Sequence, residues 1–161
     1  MKRRVLVVLV FVLAVTGITF YTHLHPLPVT RTAAALETLQ YDREAYDTLM
    51  KANTFSNGGT GVAGSMSPET KAYAVLMKNK NAFDLFYHLE QEANNQGRLY
   101  ALCAMYQLDN QYFNTIQVRY LNSIAEIKGL FGCIEVGVPM CDIADKDSMR
   151  AMAQYIASSH E

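Results

Sequence analysis

Residues Gln96 to Asp109 read QGRLYALCAMYQLD, a segment that is apolar on every side of a helical wheel. Leu99, Leu102, Cys103 and Tyr106 fall at i, i+3, i+4 and i+7, while Tyr100, Ala101, Ala104, Met105 and Leu108 fill the other faces. A helix with so few positions able to meet water belongs in the interior of a domain, so this stretch predicts a buried central helix around which its neighbours pack.

Gly97 stands ahead of that helix, and Asp109-Asn110 closes it. Upstream, Asn81 is placed to cap a helix whose Ala82, Phe83, Phe86, Leu89 and Ala93 form one apolar face. Before it, Ser67-Pro68-Glu69 supplies a serine N-cap, a proline at the first helical position and an acid in the first turn. Ala72, Val75, Leu76 and Met77 form the expected buried side of that helix. Thr32 to Asn53 has helical periodicity through Ala35, Leu39, Tyr46, Leu49 and Met50, and predicts one long amphipathic helix interrupted on its stripe by Asp42-Arg43. Downstream, Gln111 to Ile124 predicts a helix with Phe113, Ile116, Tyr120 and Ile124 inward, and with Tyr112, Val118 and Leu121 as further inward candidates. From Ala125 to Cys141 the composition turns to β-branched residues and glycine. The alternation of Ile134, Val136 and Val138 predicts an extended or hairpin-like crossover containing one short strand. Asp147-Ser148 is placed to cap a last helix that packs through Met149, Met152, Ala153, Tyr155 and Ile156. The fold class expected is therefore mainly α: an antiparallel helical bundle or a short HEAT-like α-solenoid with one extended crossover.

The N-terminus is of a different kind. Lys2, Arg3 and Arg4 precede Val5 to Phe20, a run without charge that is intermediate in length between a signal-peptide core and a full membrane span. No A-x-A cleavage site and no nearby lipid-accepting cysteine follow it, so the reading favours an uncleaved membrane helix extended by Tyr21 to Leu24 over a removed signal peptide. The basic residues hold the short N-terminal side in the cytoplasm and place the domain outside. The prolines of His23-Leu24-His25-Pro26-Leu27-Pro28 stop the helix and stiffen the exit. The organisation expected is a leader over residues 1–22, a linker over 23–31 and a single helical domain over 32–161. Its location is the inner membrane with the domain in the periplasm, or the periplasm or exterior if the leader is removed.

Half of the residues are hydrophobic, 18% are charged and the net charge is -1, which gives no field for nucleic acid. Gly59, Gly61 and Gly64 spell G-x-G-x-x-G, with Asp84 about twenty residues on. That motif needs a buried strand leading in and a helix leading out, whereas here a helix ends at Lys51-Ala52-Asn53. The glycines read as an inter-helix loop, and no nucleotide is expected. Asp84, His88 and Glu92, at i, i+4 and i+8, have the spacing of a metal-binding or general-base stripe, and equally that of a solvated helix face. They are the catalytic candidates of lowest standing; no metal and no cofactor is expected. In an exported domain Cys133 and Cys141 are the natural disulfide, closing a short loop for about 2–3 kcal/mol in the chain-entropy model. Cys103, on the central helix, reads as an inert core thiol.

The segments Gly58-Gly59-Thr60-Gly61-Val62-Ala63-Gly64-Ser65, Glu69-Thr70-Lys71-Ala72, Gly97-Arg98-Leu99-Tyr100-Ala101-Leu102 and Gly132-Cys133 resemble an uncharacterised family of small exported bacterial helical proteins. The resemblance spans roughly residues 55 to 135; it implies an all-α domain and export, and it brings no catalytic residue. The function expected is that of a non-enzymatic, membrane-anchored or periplasmic protein that binds another protein, with an immunity or inhibitor role as one concrete form. The alternatives are a small envelope hydrolase or metal-dependent enzyme using Asp84, His88 and Glu92, and a structural spacer.

Overall fold

A computed structural model describes residues 33–56, 58–60 and 64–158. The chain divides after Arg31, and the unit Thr32–Glu161 contains the described residues. The leader, the whole linker and Thr32 lie outside them. Among the described residues, no helix is long and apolar enough to cross a membrane.

The fold is mainly helical with a small two-stranded antiparallel sheet. In order, a 3₁₀ turn at Leu36–Thr38 precedes α1 (Arg43–Met50), α2 (Pro68–Met77), α3 (Ala82–Glu92), α4 (Asn95–Leu108) and α5 (Asn110–Leu121). The hairpin β1 (Glu126–Phe131) and β2 (Ile134–Pro139), a second 3₁₀ turn and α6 (Lys146–Ser158) complete it. The central segment is where its composition puts it: every residue from Leu99 to Met105 is fully buried, and α4 touches α1, α3, α5, α6 and β1. Each leucine there contributes about 1.5–3 kcal/mol through burial. Its tyrosine is satisfied as well as buried. The Tyr100 hydroxyl accepts the Ser56 N–H at 3.1 Å, and its ring lies 4.9 Å from that of Phe55.

Several boundaries differ from the sequence reading, each for a local reason. The long helix expected over Thr32 to Asn53 is instead a 3₁₀ turn, an extended stretch and the eight-residue α1. Asp42 interrupts it by acting as an N-cap, its side chain accepting the Ala45 N–H at 2.9 Å, which satisfies an orphan donor and starts a new helix. On α2 the large buried residue is Tyr73, whereas Val75 is 45% exposed. Asn94 caps α4 by accepting the Gly97 N–H, so Gly97 sits inside the first turn. At the end of α5, Val118, Leu121 and Ile124 point outward, and Ile124 is 90% exposed. Asp145 caps α6, ahead of the expected Asp147-Ser148: its carboxylate takes the Asp147 and Ser148 N–H groups and the Ser148 hydroxyl. Burial raises the Asp145 pKa, but these bonds outweigh it and the net shift is downward.

The crossover has two strands where one was expected. Phe131 pairs with Ile134 across a Gly132-Cys133 turn, with Gly132 at φ 62° and Cys133 outside the left-handed region. A glycine at the first central position is the requirement of a type II′ hairpin. This geometry also overturns the Cys133–Cys141 disulfide. Cys133 is at the hairpin tip and Cys141 lies past the far end of β2; at about 3.3 Å per residue the strand holds them roughly 25 Å apart, whereas a disulfide needs Cα atoms within about 7 Å. All three cysteines are free thiols.

The glycine segment closes on itself. Thr60 N–H donates to the Ser65 carbonyl at 2.8 Å, and Gly64 takes a positive φ of 62°. Phe55, just ahead of it, pairs in parallel with β1: its N–H donates to the Lys128 carbonyl and its carbonyl accepts the Leu130 N–H, both at 2.8 Å.

Candidate functional site

Two features combine polarity or exposure with a defined geometry. The first is a cleft of about 210 Å³ where the end of α3, the start of α4 and the end of α5 meet. Glu90 forms its floor. It lies one position beyond Leu89 and seven beyond Phe83, on the apolar stripe of α3, and is only 3% exposed. A carboxylate so placed persists only with partners, and both oxygens have them. Oε1 accepts from Arg119 Nη2 at 2.6 Å and from the Tyr120 hydroxyl at 3.0 Å, and Oε2 accepts from the Gln91 side-chain amide. Burial and then the Glu90 charge push the Tyr120 hydroxyl well above the ordinary phenol range, so it stays a donor. Burial followed by the same carboxylate raises Tyr112 to about 12. With both oxygens occupied, Glu90 acts as an anchor for two helices.

Arg98, from the first turn of α4, forms another wall. Its Nη2 donates to the Gln91 carbonyl at 3.0 Å, while its Nε–H is covered and has no acceptor. The cleft therefore holds two guanidinium groups and one carboxylate.

The second feature is the hairpin. On one face Ile127 and Gly129 are buried and Val138 half-buried, whereas Phe131, Ile134 and Val136 on the same face are 37%, 64% and 38% exposed. The Phe131 ring lies over Gly129, where a Cβ would fall 2.5 Å from Cε2. The two edges of the sheet also differ. Because the Lys128 carbonyl and Leu130 N–H face Phe55, their cross-strand partners Gly137 and Glu135 direct their own N–H and C=O groups away from β1. Among the described residues nothing pairs with that outer edge of β2.

The candidates chosen by spacing take other positions. Asp84 and His88 are half-buried and Glu92 is exposed, all on α3. His88 Nε2 lies 2.8 Å from the Ala34 carbonyl and donates to it, and its ring stands edge-on to Tyr87. It ties the segment leading out of the linker to α3. Among the described residues no three His, Cys, Asp or Glu side chains converge to hold a metal. Cys103 accepts from the Tyr73 hydroxyl and contacts the Met149 carbonyl, each at 3.6 Å, and burial pushes its thiol to about 12. A thiol reagent at pH 8 is expected to modify exposed Cys133 quickly and to leave Cys103 unmodified until the chain unfolds. Timed labelling with peptide mapping checks this; rapid labelling of Cys103 in the folded chain would contradict the buried-thiol assignment.

Spacing alone missed Glu90, Arg98 and Arg119. The legible signal was Glu90 itself, a charge on the apolar stripe of an otherwise regular amphipathic helix. No family model, curated protein or solved structure matches this chain.

Proposed function

We propose that this protein is a non-enzymatic envelope protein whose helical domain presents the β1–β2 hairpin to a protein partner. The observation that carries the reading is the outer edge of β2: two residues with outward backbone groups, flanked by an apolar face that overhangs the core. An extended segment of the partner would pair with Glu135 and Gly137 as an added strand, with its apolar side chains against Ile134, Val136 and Phe131. The edge is short and carries Glu135 and Pro139, features that limit self-association of exposed strands. They favour a specific partner over a second copy. The basic residues followed by Val5 to Phe20 support anchoring in, or export across, a bacterial inner membrane, with the domain in the periplasm. An immunity or inhibitor role is one form such binding would take. The scaffold is read as an antiparallel bundle rather than a HEAT-like solenoid, because solenoid repeats touch only their neighbours, whereas α4 meets five other elements.

Crosslinking in cells tests this reading. A photo-activatable residue at Ile134 of the full chain is expected to yield one adduct of defined mass, and the same residue at exposed Thr115 none. Glu135→Pro removes an outward N–H and the exposed Lys128–Glu135 ion pair at 3.4 Å while sparing the backbone bonds between β1 and β2, and is expected to reduce the adduct about fivefold or more, whereas Glu135→Gln, which removes only the ion pair, leaves it unchanged. Equal adducts from both positions, or an adduct undiminished by Glu135→Pro, would refute it.

A further inference from the structure

The hairpin leaves the Glu90 cleft unused, and the charges within that cleft do not balance. Arg119 is matched by Glu90 at 2.6 Å, but Arg98 has no carboxylate within ion-pair distance among the described residues. One positive charge is left over. Arg98 is held only through Nη2 on a backbone carbonyl, and its Nε–H has no acceptor. The guanidinium therefore gains hydrogen bonds by turning toward an acceptor in the cleft. The surroundings add to the imbalance: the first turn of α4 carries no acid of its own to offset the positive end of that helix. Asn95, Ser123 and Gln91 line the same space and offer neutral hydrogen-bonding groups.

We infer that this cleft binds a small oxyanion, a carboxylate or a phosphate, with Arg98 as the principal contact and Arg119 as a second contact oriented by Glu90. Arginine suits the task because its planar fork bonds two oxygens at once. The cleft, at about 210 Å³, is smaller than the roughly 300–1,000 Å³ of sites for drug-sized ligands. That size fits inorganic phosphate, or the anionic end of a small metabolite, better than a large cofactor. Glu90 sets the selectivity. Its fixed negative charge neutralises one arginine, so the cleft favours a ligand of low charge over a polyanion.

The test is a titration of the full chain, in nonionic detergent at constant ionic strength, with sodium phosphate in one arm and sodium acetate in the other, followed by ¹H–¹⁵N spectra. Saturable shifts are expected at the Arg98 Hε and at the Asn95 and Ser123 amides, with half-saturation at about 1 mM or below in at least one arm. The Thr115 amide is expected to stay still. Saturation by phosphate alone assigns a phosphate ligand, and saturation by acetate a carboxylate; either supports the inference. Arg98→Gln is expected to weaken binding about tenfold, and Arg98→Lys, which keeps the charge without the fork, by less. Shifts that stay linear to about 10 mM in both arms, or equal binding by wild type and a folded Arg98→Gln or Arg98→Lys chain, would overturn it.

Discussion

Gly97→Ala is expected to destabilise the domain by about 3 kcal/mol, against a helix propensity that on its own favours alanine by about 1 kcal/mol. The packing between α1 and α4 decides the sign. The start of α4 lies across the end of α1, where Asn94 donates through its backbone to the Met50 carbonyl at 3.3 Å and through its side-chain amide to the Ala52 carbonyl at 2.8 Å. Gln96 reaches the Asn53 carbonyl at 3.4 Å. The Met50 carbonyl at the helix end, and the Ala52 and Asn53 carbonyls just past it, are thus satisfied by the start of α4. The approach this requires leaves no room at Gly97, where a Cβ would run into the Leu49 backbone carbonyl and stand 2.8 Å from the Ala93 Cβ. Backbone cannot step aside as a side chain can. Urea unfolding of the full chain measures the effect as a lower midpoint at an unchanged slope. An unchanged or raised midpoint would show that the two helices do not approach this closely.

Arg119→Ala is expected to cost about 2–3 kcal/mol, although the Arg119 side chain is itself 60% exposed. An ion pair that open to water is normally worth under about 1 kcal/mol. Here the partner is the reason for the larger figure: Glu90, with a side chain 2% exposed, would keep only the Tyr120 hydroxyl and the Gln91 amide as donors. The penalty is that of a buried carboxylate without its cation. Glu90→Gln in the same background removes that charge and is expected to recover about half of the loss, so a double-mutant cycle should give a coupling of at least about 1 kcal/mol. Additive effects in unfolding midpoints would show that the pair contributes no more than a surface contact.

The elements legible in the sequence were those whose signal is local. The all-round apolarity of Leu99 to Met105, the Ser67-Pro68-Glu69 opening of α2 and the stripe through Phe83, Phe86 and Leu89 each rest on positions within one or two turns. The errors arose where a residue's role is set by distant chain. Asp42 has the look of a break in a stripe, and it is a cap; the extended stretch before it is held by the Asn79 side-chain amide, which donates to the Gln40 carbonyl. Ile124 has the spacing of an inward residue, but α5 has already ended at Leu121. Cys133 and Cys141 are close in sequence, and the strand between them is what separates them. The cleft was the least legible part, because Glu90, Arg98 and Arg119 come from three helices and their meeting is a tertiary fact. Only the charge on the α3 stripe was visible beforehand.

The parallel pairing of Phe55 with β1 determines where this chain can be shortened. Phe55 is wholly inaccessible to water and spends both main-chain groups on Lys128 and Leu130. Cutting after α5 would remove both partners of that amide and that carbonyl and uncover the Phe55 side chain. The helices and the hairpin are therefore one unit: a fragment that keeps Phe55 paired must keep β1, and one that keeps the core closed must also keep Met149 and Met152 of α6.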